Sequence, residues 1–133
     1  MKKKFSTSWK SSTQPRKQRK YLKNAPLHLR RKLFSSTLSK DLRKKYKKRS
    51  IPLKVNDKVK ILRGQFKKKE GKVTKINTKK MYLYIDTIQV QKKNGSKIFF
   101  PVHPSNVMIT ELDMEDKERR KIMERSHGTP QKN

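Results

Sequence analysis

Between Asn56 and Ile109 the apolar residues come in short runs, most of them alternating with polar residues at the period of a β-strand. Val59 to Arg63 and Lys72 to Ile76 flank a turn that holds Gly64, the Lys67-Lys68-Lys69 cluster and Gly71. Met81 to Ile85 places Leu83 and Ile85 on one face and Tyr82 and Tyr84 on the other. Thr87 to Gln91 follows, with Ile88 and Val90 inward. Asn94-Gly95 is the strongest hairpin signal in the chain. The return strand points Ile98, Phe100 and Val102 one way and Phe99 the other. His103-Pro104-Ser105-Asn106 then turns the chain into a last strand, Val107 to Ile109.

About five short antiparallel strands at close spacing predict a mainly β fold, a small five-stranded SH3-like barrel over residues 51–110. Its expected core is Val59, Ile61, Val73, Ile76, Leu83, Ile85, Ile88, Val90, Ile98, Phe100, Val102, Val107 and Ile109. Two short helices are expected before it, over residues 24–50. Asn24 can cap the first, Pro26 suits its first turn, and Leu29 and Leu33 share a side. Ser35, Ser36 and Thr37 break that helix. Ser39 caps a second, in which Leu38, Leu42 and Tyr46 fall four apart. Ser50-Ile51-Pro52 reads as an extended linker, because proline pushes the residue before it away from helix.

The flanks differ in character. Residues 1–23 are nearly all Lys, Arg, Ser, Thr or Gln and hold too little apolar surface to order themselves, so a disordered basic arm is expected. Residues 111–133 predict a C-terminal helix and tail. Asp113 or Asp116 could cap that helix, acids near its start and bases further on suit its dipole, and Gly128 and Pro130 end it.

Charge changes the picture. The chain of 133 residues carries a formal net charge of +29, with hydrophobic residues at 30%. Residues 1–50 hold 19 Lys or Arg against one acid, residues 51–110 hold 14 against three, and residues 111–133 hold six against six. So basic a chain repels itself, and a dense anionic partner relieves the repulsion. The cations of the second helix have only Asp41 to pair with, so salt bridging along the helix cannot explain them. The tail, being neutral, suits protein or solvent better than phosphate.

Other classes fit poorly. No apolar run approaches the ~20 residues that cross a bilayer, and no wide apolar helix face suggests a membrane surface. The basic start lacks the hydrophobic stretch of a secretory signal. There is no cysteine. His28, His103 and His127 show no metal-ligand spacing, and Asp57, Glu70 and Asp86 are isolated, which disfavours metal-assisted phosphodiester cleavage. Neither a P-loop nor a dinucleotide fingerprint is present. A soluble, cytoplasmic, non-catalytic protein is expected, without metal, cofactor or small-molecule substrate.

Val59, Gly64, Phe66, Lys67, Glu70, Gly71, Lys72, Val73 and Ile76 resemble a KOW motif, the short RNA-binding signature of some ribosomal proteins and of NusG-type transcription factors. One departure is Lys68, where a KOW loop usually has glycine; a more open loop is the expected consequence. The flanks extend the likeness. Gln14 to Lys20, Asn24-Ala25-Pro26-Leu27-His28 through Lys32, Leu38 to Leu42, Arg49-Ser50 and His103 to Val107 resemble the archaeal or eukaryotic branch of the L-twenty-four family of large-subunit ribosomal proteins.

That resemblance implies a structural constituent of the large ribosomal subunit. It implies direct binding to large-subunit rRNA near its 5′ end, an early role in assembly, and a place near the peptide exit tunnel. The implied partners are that rRNA and neighbouring ribosomal proteins, with this chain a monomer within the ribosome. The alternative is a KOW-containing transcription elongation or regulatory factor. The candidate RNA-binding residues are Arg16, Lys17, Arg19, Lys20, Arg30, Arg31, Lys32, Arg43, Lys44, Arg63, Lys67, Lys68, Lys69 and Lys72. Trp9 and Tyr21 are candidates for base stacking. Gly64, Gly71 and Gly95 mark places where the backbone needs positive φ or a close neighbour.

Overall fold

The structure is a computed structural model that describes residues 5–125. After a single 3-10 turn at Thr7–Trp9, Pro15 opens helix α1 (Pro15–Asn24), where its missing N–H costs nothing. Residues 15–23 thus form a helix where an unordered arm is expected. Gln, Arg, Lys and Leu are good helix formers, and α1 buries none of its residues. What the segment lacks is a core, not helical propensity. Ala25-Pro26 interrupts the chain, and α2 (Leu27–Leu33) begins after it. Asn24 ends α1 rather than capping α2, whose start has no side-chain cap.

Ser35, Ser36 and Thr37 do more than stop a helix. With Leu38 they form strand β1 (Ser35–Leu38), whose alternation buries Ser36 and Leu38. The Ser36 hydroxyl donates to the Pro104 carbonyl, which satisfies a polar group inside the core. Leu38, expected on a helical stripe, is therefore a strand residue. Ser39 does cap the next helix, α3 (Lys40–Tyr46), accepting the Leu42 N–H at 3.4 Å, and Lys47 at φ 50° ends it. The expected linker is strand β2 (Ser50–Pro52), antiparallel to β1 with Ser36 opposite Ile51. Pro52 is tolerated there because β2 is an edge.

The remaining strands are β3 (Lys58–Ile61), β4 (Glu70–Asn77), β5 (Tyr82–Ile85), β6 (Gln89–Gln91), β7 (Lys97–Phe99) and β8 (Val107–Glu111), followed by helix α4 (Lys117–Glu124). Six of the strands form one sheet in the order β2-β1-β8-β3-β4-β5, and β6 and β7 form a ribbon of their own. Only the β1–β8 pairing in that sheet is parallel; the others are antiparallel. The architecture is accordingly mixed, helix and strand, with eight strands and four α-helices among the described residues rather than five strands and three helices. The strands that no expected run covers, β1 and β2, come from Ser/Thr- and Pro-containing segments whose local signals read as breaks.

Register places Val59 against Ile109, Ile61 against Val107, and Val73 against Ile85. These residues are buried, with Leu83, Ile88 and Val102. Four expected core residues are not fully inside: Ile76 and Val90 are half-buried, while Ile98 (44% exposed) and Phe100 (38%) face out. Ile76, on β4, packs at the margin of the core. For Val90, Ile98 and Phe100, in or next to the β6–β7 ribbon, the reason is that this ribbon stands apart from the main sheet, so its alternation has no second layer to pack on. The flanks fill the space instead. Phe34, Leu38, Ile51, Leu53 and Met123 complete the core.

Candidate nucleic-acid interface

The loop between β3 and β4 carries Arg63, Gly64, Lys67, Lys68 and Lys69, and it is tightly built. Ile61 N–H donates to Lys69 O and Lys68 N–H to Ile61 O, both at 2.9 Å, closing the loop at its neck. Leu62 N–H donates to Asn106 O at 2.8 Å. Gly64 sits at φ +98°, in the left-handed region that suits glycine. Lys68 occupies the same region at φ 73°, so the chain keeps the backbone that glycine would favour despite the substitution. The expected opening of the loop is absent. Phe66 anchors it from below, its ring 5.1 Å from that of Phe100 in an edge-on contact, while Lys69 Nζ lies 5.2 Å from the Phe66 centroid.

Gly71 answers a different need. A Cβ there would come within 2.6 Å of Ile85 Cγ2 and 2.5 Å of Thr87 Oγ1, so the β4–β5 approach excludes any side chain. Asp86 fixes the same corner, accepting the Lys72 and Thr87 N–H groups at 3.0 and 2.7 Å. Gly95, at φ +86°, makes the β6–β7 turn.

Of the other candidate cations, Arg16, Arg19, Lys20, Arg31, Lys32, Arg43, Lys44 and Lys72 are exposed, and Lys17 and Arg30 are half-buried. Arg16, Arg19 and Lys20 lie on one side of α1 by their spacing. Two arginines are committed within the fold. Arg43 Nε donates to Leu38 O at 2.8 Å. Arg30 serves three carbonyls: Ala25 at 2.8 Å, Lys79 at 3.0 Å, and Lys23. One guanidinium therefore ties the end of α1 to the turn between β4 and β5, a role that the sequence did not signal. Tyr21 is half-buried with its ring 4.9 Å from that of Phe5, so this candidate stacking face is partly occupied. Trp9 closes the 3-10 turn.

The structure sorts the candidate cations into separate groups. The β3–β4 loop stands at one end of β4, and the α1–α2 corner meets the turn at its other end. Eight strand residues separate them, roughly 26 Å at the usual rise. Electrostatically the two groups are alike. Setting Lys17 aside, none of these candidate cations forms an ion pair with an acid of the described residues. The acids that do form ion pairs, Asp116, Glu111, Glu70, Asp57 and Glu118, bridge instead to Lys54, Lys58, Lys60, Arg119 and Lys121. Of these, Lys58 has its pKa raised, first by its 2.9 Å hydrogen bond to Glu111 and then by that carboxylate's charge.

Sequence reasoning missed the buried partner of Asp57. Arg119 reaches into the core from α4 and meets that carboxylate, with Met123 one turn further on the same face. The only signal was the i, i+4 spacing of those two residues on an otherwise charged helix. Asp116 caps α4 by accepting the Glu118 N–H, as its place before the helix predicts; Gly128, Pro130 and His127 lie outside the described residues. Among the described residues no group of three or more His, Asp or Glu is placed to hold a metal ion, and no helix is long and apolar enough to cross a membrane.

The site is thus a cationic loop and a cationic helical flank, with the fold's ion pairs formed at other lysines and at Arg119. The family of ribosomal proteins described as L26 in eukaryotes and L24 in archaea matches residues 12–126, flanks and sheet together. The chain belongs to that family and is a ribosomal protein of the large subunit, not an enzyme. The match over the flanks decides for the ribosomal reading of the KOW-like loop over the transcription-factor one.

Proposed function

We propose that this protein binds large-subunit rRNA directly near its 5′ end, acts early in assembly of the subunit, and lies near the peptide exit tunnel in the cytoplasmic ribosome. The observation that carries the reading is the division of labour among charges. Asp57, Glu70, Glu111, Asp116 and Glu118 pair with Arg119, Lys60, Lys58, Lys54 and Lys121, while the exposed cations of the β3–β4 loop and of α1 and α2 stay clear of acids. Such cations meet phosphates without first losing an internal partner, and each displaces a condensed counterion. Arg16, Arg19, Lys20, Arg31, Lys32, Lys67, Lys68, Lys69 and Lys72 are the phosphate contacts of this reading. Arg30 and Arg43 act mainly by holding the basic flank in place. The SH3-like closure belongs to the same reading. Leu83 and Val102 exchange backbone hydrogen bonds of 2.8 and 2.9 Å, which supports a return of the chain from β5 towards β8.

The test is binding of the full chain to transcripts of the 5′ and 3′ portions of large-subunit rRNA across a salt series. Preference for the 5′ portion and a steep fall of log K with log salt are expected. Equal binding of both portions, or a flat salt response, would refute the proposal.

A further inference from the structure

We infer that the outward face of the β4–β5 ribbon is a stacking platform for unpaired RNA bases, with Tyr82 and Tyr84 as its two aromatic steps and Lys75 as their phosphate contact. The inference rests on the reading of the chain as an RNA binder and names where bases, as opposed to backbone, are held.

Leu83 and Ile85 are buried, so the strand period turns Tyr82 and Tyr84 to the opposite face. The cross-strand register sets Lys75 opposite Tyr84 and Asn77 opposite Tyr82, on that same face. Tyr82 is 39% exposed and Tyr84 is half-buried. Neither ring stacks on another aromatic, and neither hydroxyl has a hydrogen-bond partner, among the described residues. A tyrosine on the outer face of a sheet is ordinarily covered by something. The described fold covers only part of each, Tyr84 more than Tyr82, and leaves the rest open for something else to cover.

The surrounding charge identifies what does. From Gly71 to Ile85 the chain has four lysines and no acid. The ribbon also runs between the two cationic groups, the β3–β4 loop at one end of β4 and the α1–α2 corner at the other. A strand of RNA spanning the two would lay its bases along these rings. Two tyrosines two residues apart on one strand stand roughly 7 Å apart, about two base-stacking layers. Single-stranded recognition elsewhere combines the same parts, aromatic rings for bases and a positive track for phosphates. An acidic protein surface would also meet the lysines, but cationic groups at both ends of the ribbon favour an extended polyphosphate strand that spans them.

The experiment measures binding of the full chain to a single-stranded oligoadenylate of about ten nucleotides and to an abasic oligomer of equal charge. Wild type is expected to prefer the oligoadenylate. Tyr82→Ala and Tyr84→Ala are each expected to weaken oligoadenylate binding roughly tenfold, with abasic binding and the salt slope unchanged. Tyr82→Phe and Tyr84→Phe retain wild-type affinity, because the ring and not the hydroxyl does the stacking. Lys75→Ala lowers the salt slope by about 0.7 for both oligomers. Should an alanine variant fail to fold, Tyr84→Leu, which keeps bulk without a π face, is expected to show the same selective loss. Unchanged oligoadenylate affinity in the alanine variants overturns the inference, and so does an equal loss for both oligomers. If wild type binds both oligomers equally with a steep salt slope, the platform falls and the RNA-binding reading survives. If wild type binds neither, both fall.

Discussion

Arg119 and Asp57 meet as a two-pronged pair inside the core, Nη1 2.6 Å from Oδ1 and Nη2 2.7 Å from Oδ2, with both side chains almost wholly withdrawn from water. The carboxylate also accepts the Lys54 and Asp113 N–H groups, at 2.9 and 3.0 Å. The guanidinium returns a hydrogen bond to Asp113 O at 2.9 Å. A single charge pair thus gathers the β2–β3 connection, the segment after β8, and α4.

Removing either partner leaves the other charge buried without compensation. Arg119→Ala and Asp57→Ala are each expected to destabilise the fold by about 3–5 kcal/mol. The double variant Asp57→Leu/Arg119→Met should cost much less than the sum, since it removes both desolvated charges at once. Urea unfolding followed by circular dichroism checks this. Additive losses in the double variant would show that the pair is not a coupled unit.

How much of this was legible in the sequence depended on whether a residue's role was local. The strands of residues 59–85 follow from alternation, and Ser39 and Asp116 cap the helices that their positions announce. The Ser35–Leu38 strand was hidden because its two serines and a threonine read as a break; only the partner strands β2 and β8 make it a strand. Ile98 and Phe100 have a core pattern and no core, for the pattern cannot say whether a second layer exists. Among the site residues, the exposed lysines of the β3–β4 loop were legible from charge. The commitment of Arg30 to three carbonyls was not, because one of them lies 49 positions away.

Arg30 should therefore be a positioning residue whose loss loosens the basic flank. Arg30→Ala is expected to raise amide exchange in α1 and α2 while leaving β3, β4 and β8 protected. Arg30→Lys should rescue little, because an ammonium on a flexible stem cannot reproduce the fixed fork that serves separate carbonyls. Hydrogen exchange read by mass spectrometry distinguishes these outcomes from a global loss of stability, in which the sheet would exchange as well.

The outward ribbon gives a contrast within one stretch of chain. Ile88, just before β6, is fully buried and Ile98, in β7, is 44% exposed, although alternation in the sequence puts both in the apolar phase of expected strands. Ile88→Ala is expected to cost about 2–5 kcal/mol, and Ile98→Ala within about 0.5 kcal/mol. Chemical denaturation of the two variants settles it. Similar large losses at both sites would mean that β6 and β7 pack on the sheet after all.

Lys68 joins backbone strain to charge. A lysine at φ 73° bears the left-handed penalty that glycine would avoid. Lys68→Gly should stabilise the fold by up to about 1 kcal/mol, less whatever glycine loses in unfolded-state entropy. The same change removes one exposed cation from the loop, so the salt dependence of rRNA binding should fall by about 0.7–0.9 in slope. A stability gain together with weaker, less salt-sensitive binding is the expected pair of results. It would show that this chain keeps a strained lysine for the phosphate contact it makes. If the glycine variant bound rRNA with an undiminished slope, Lys68 would be making no such contact.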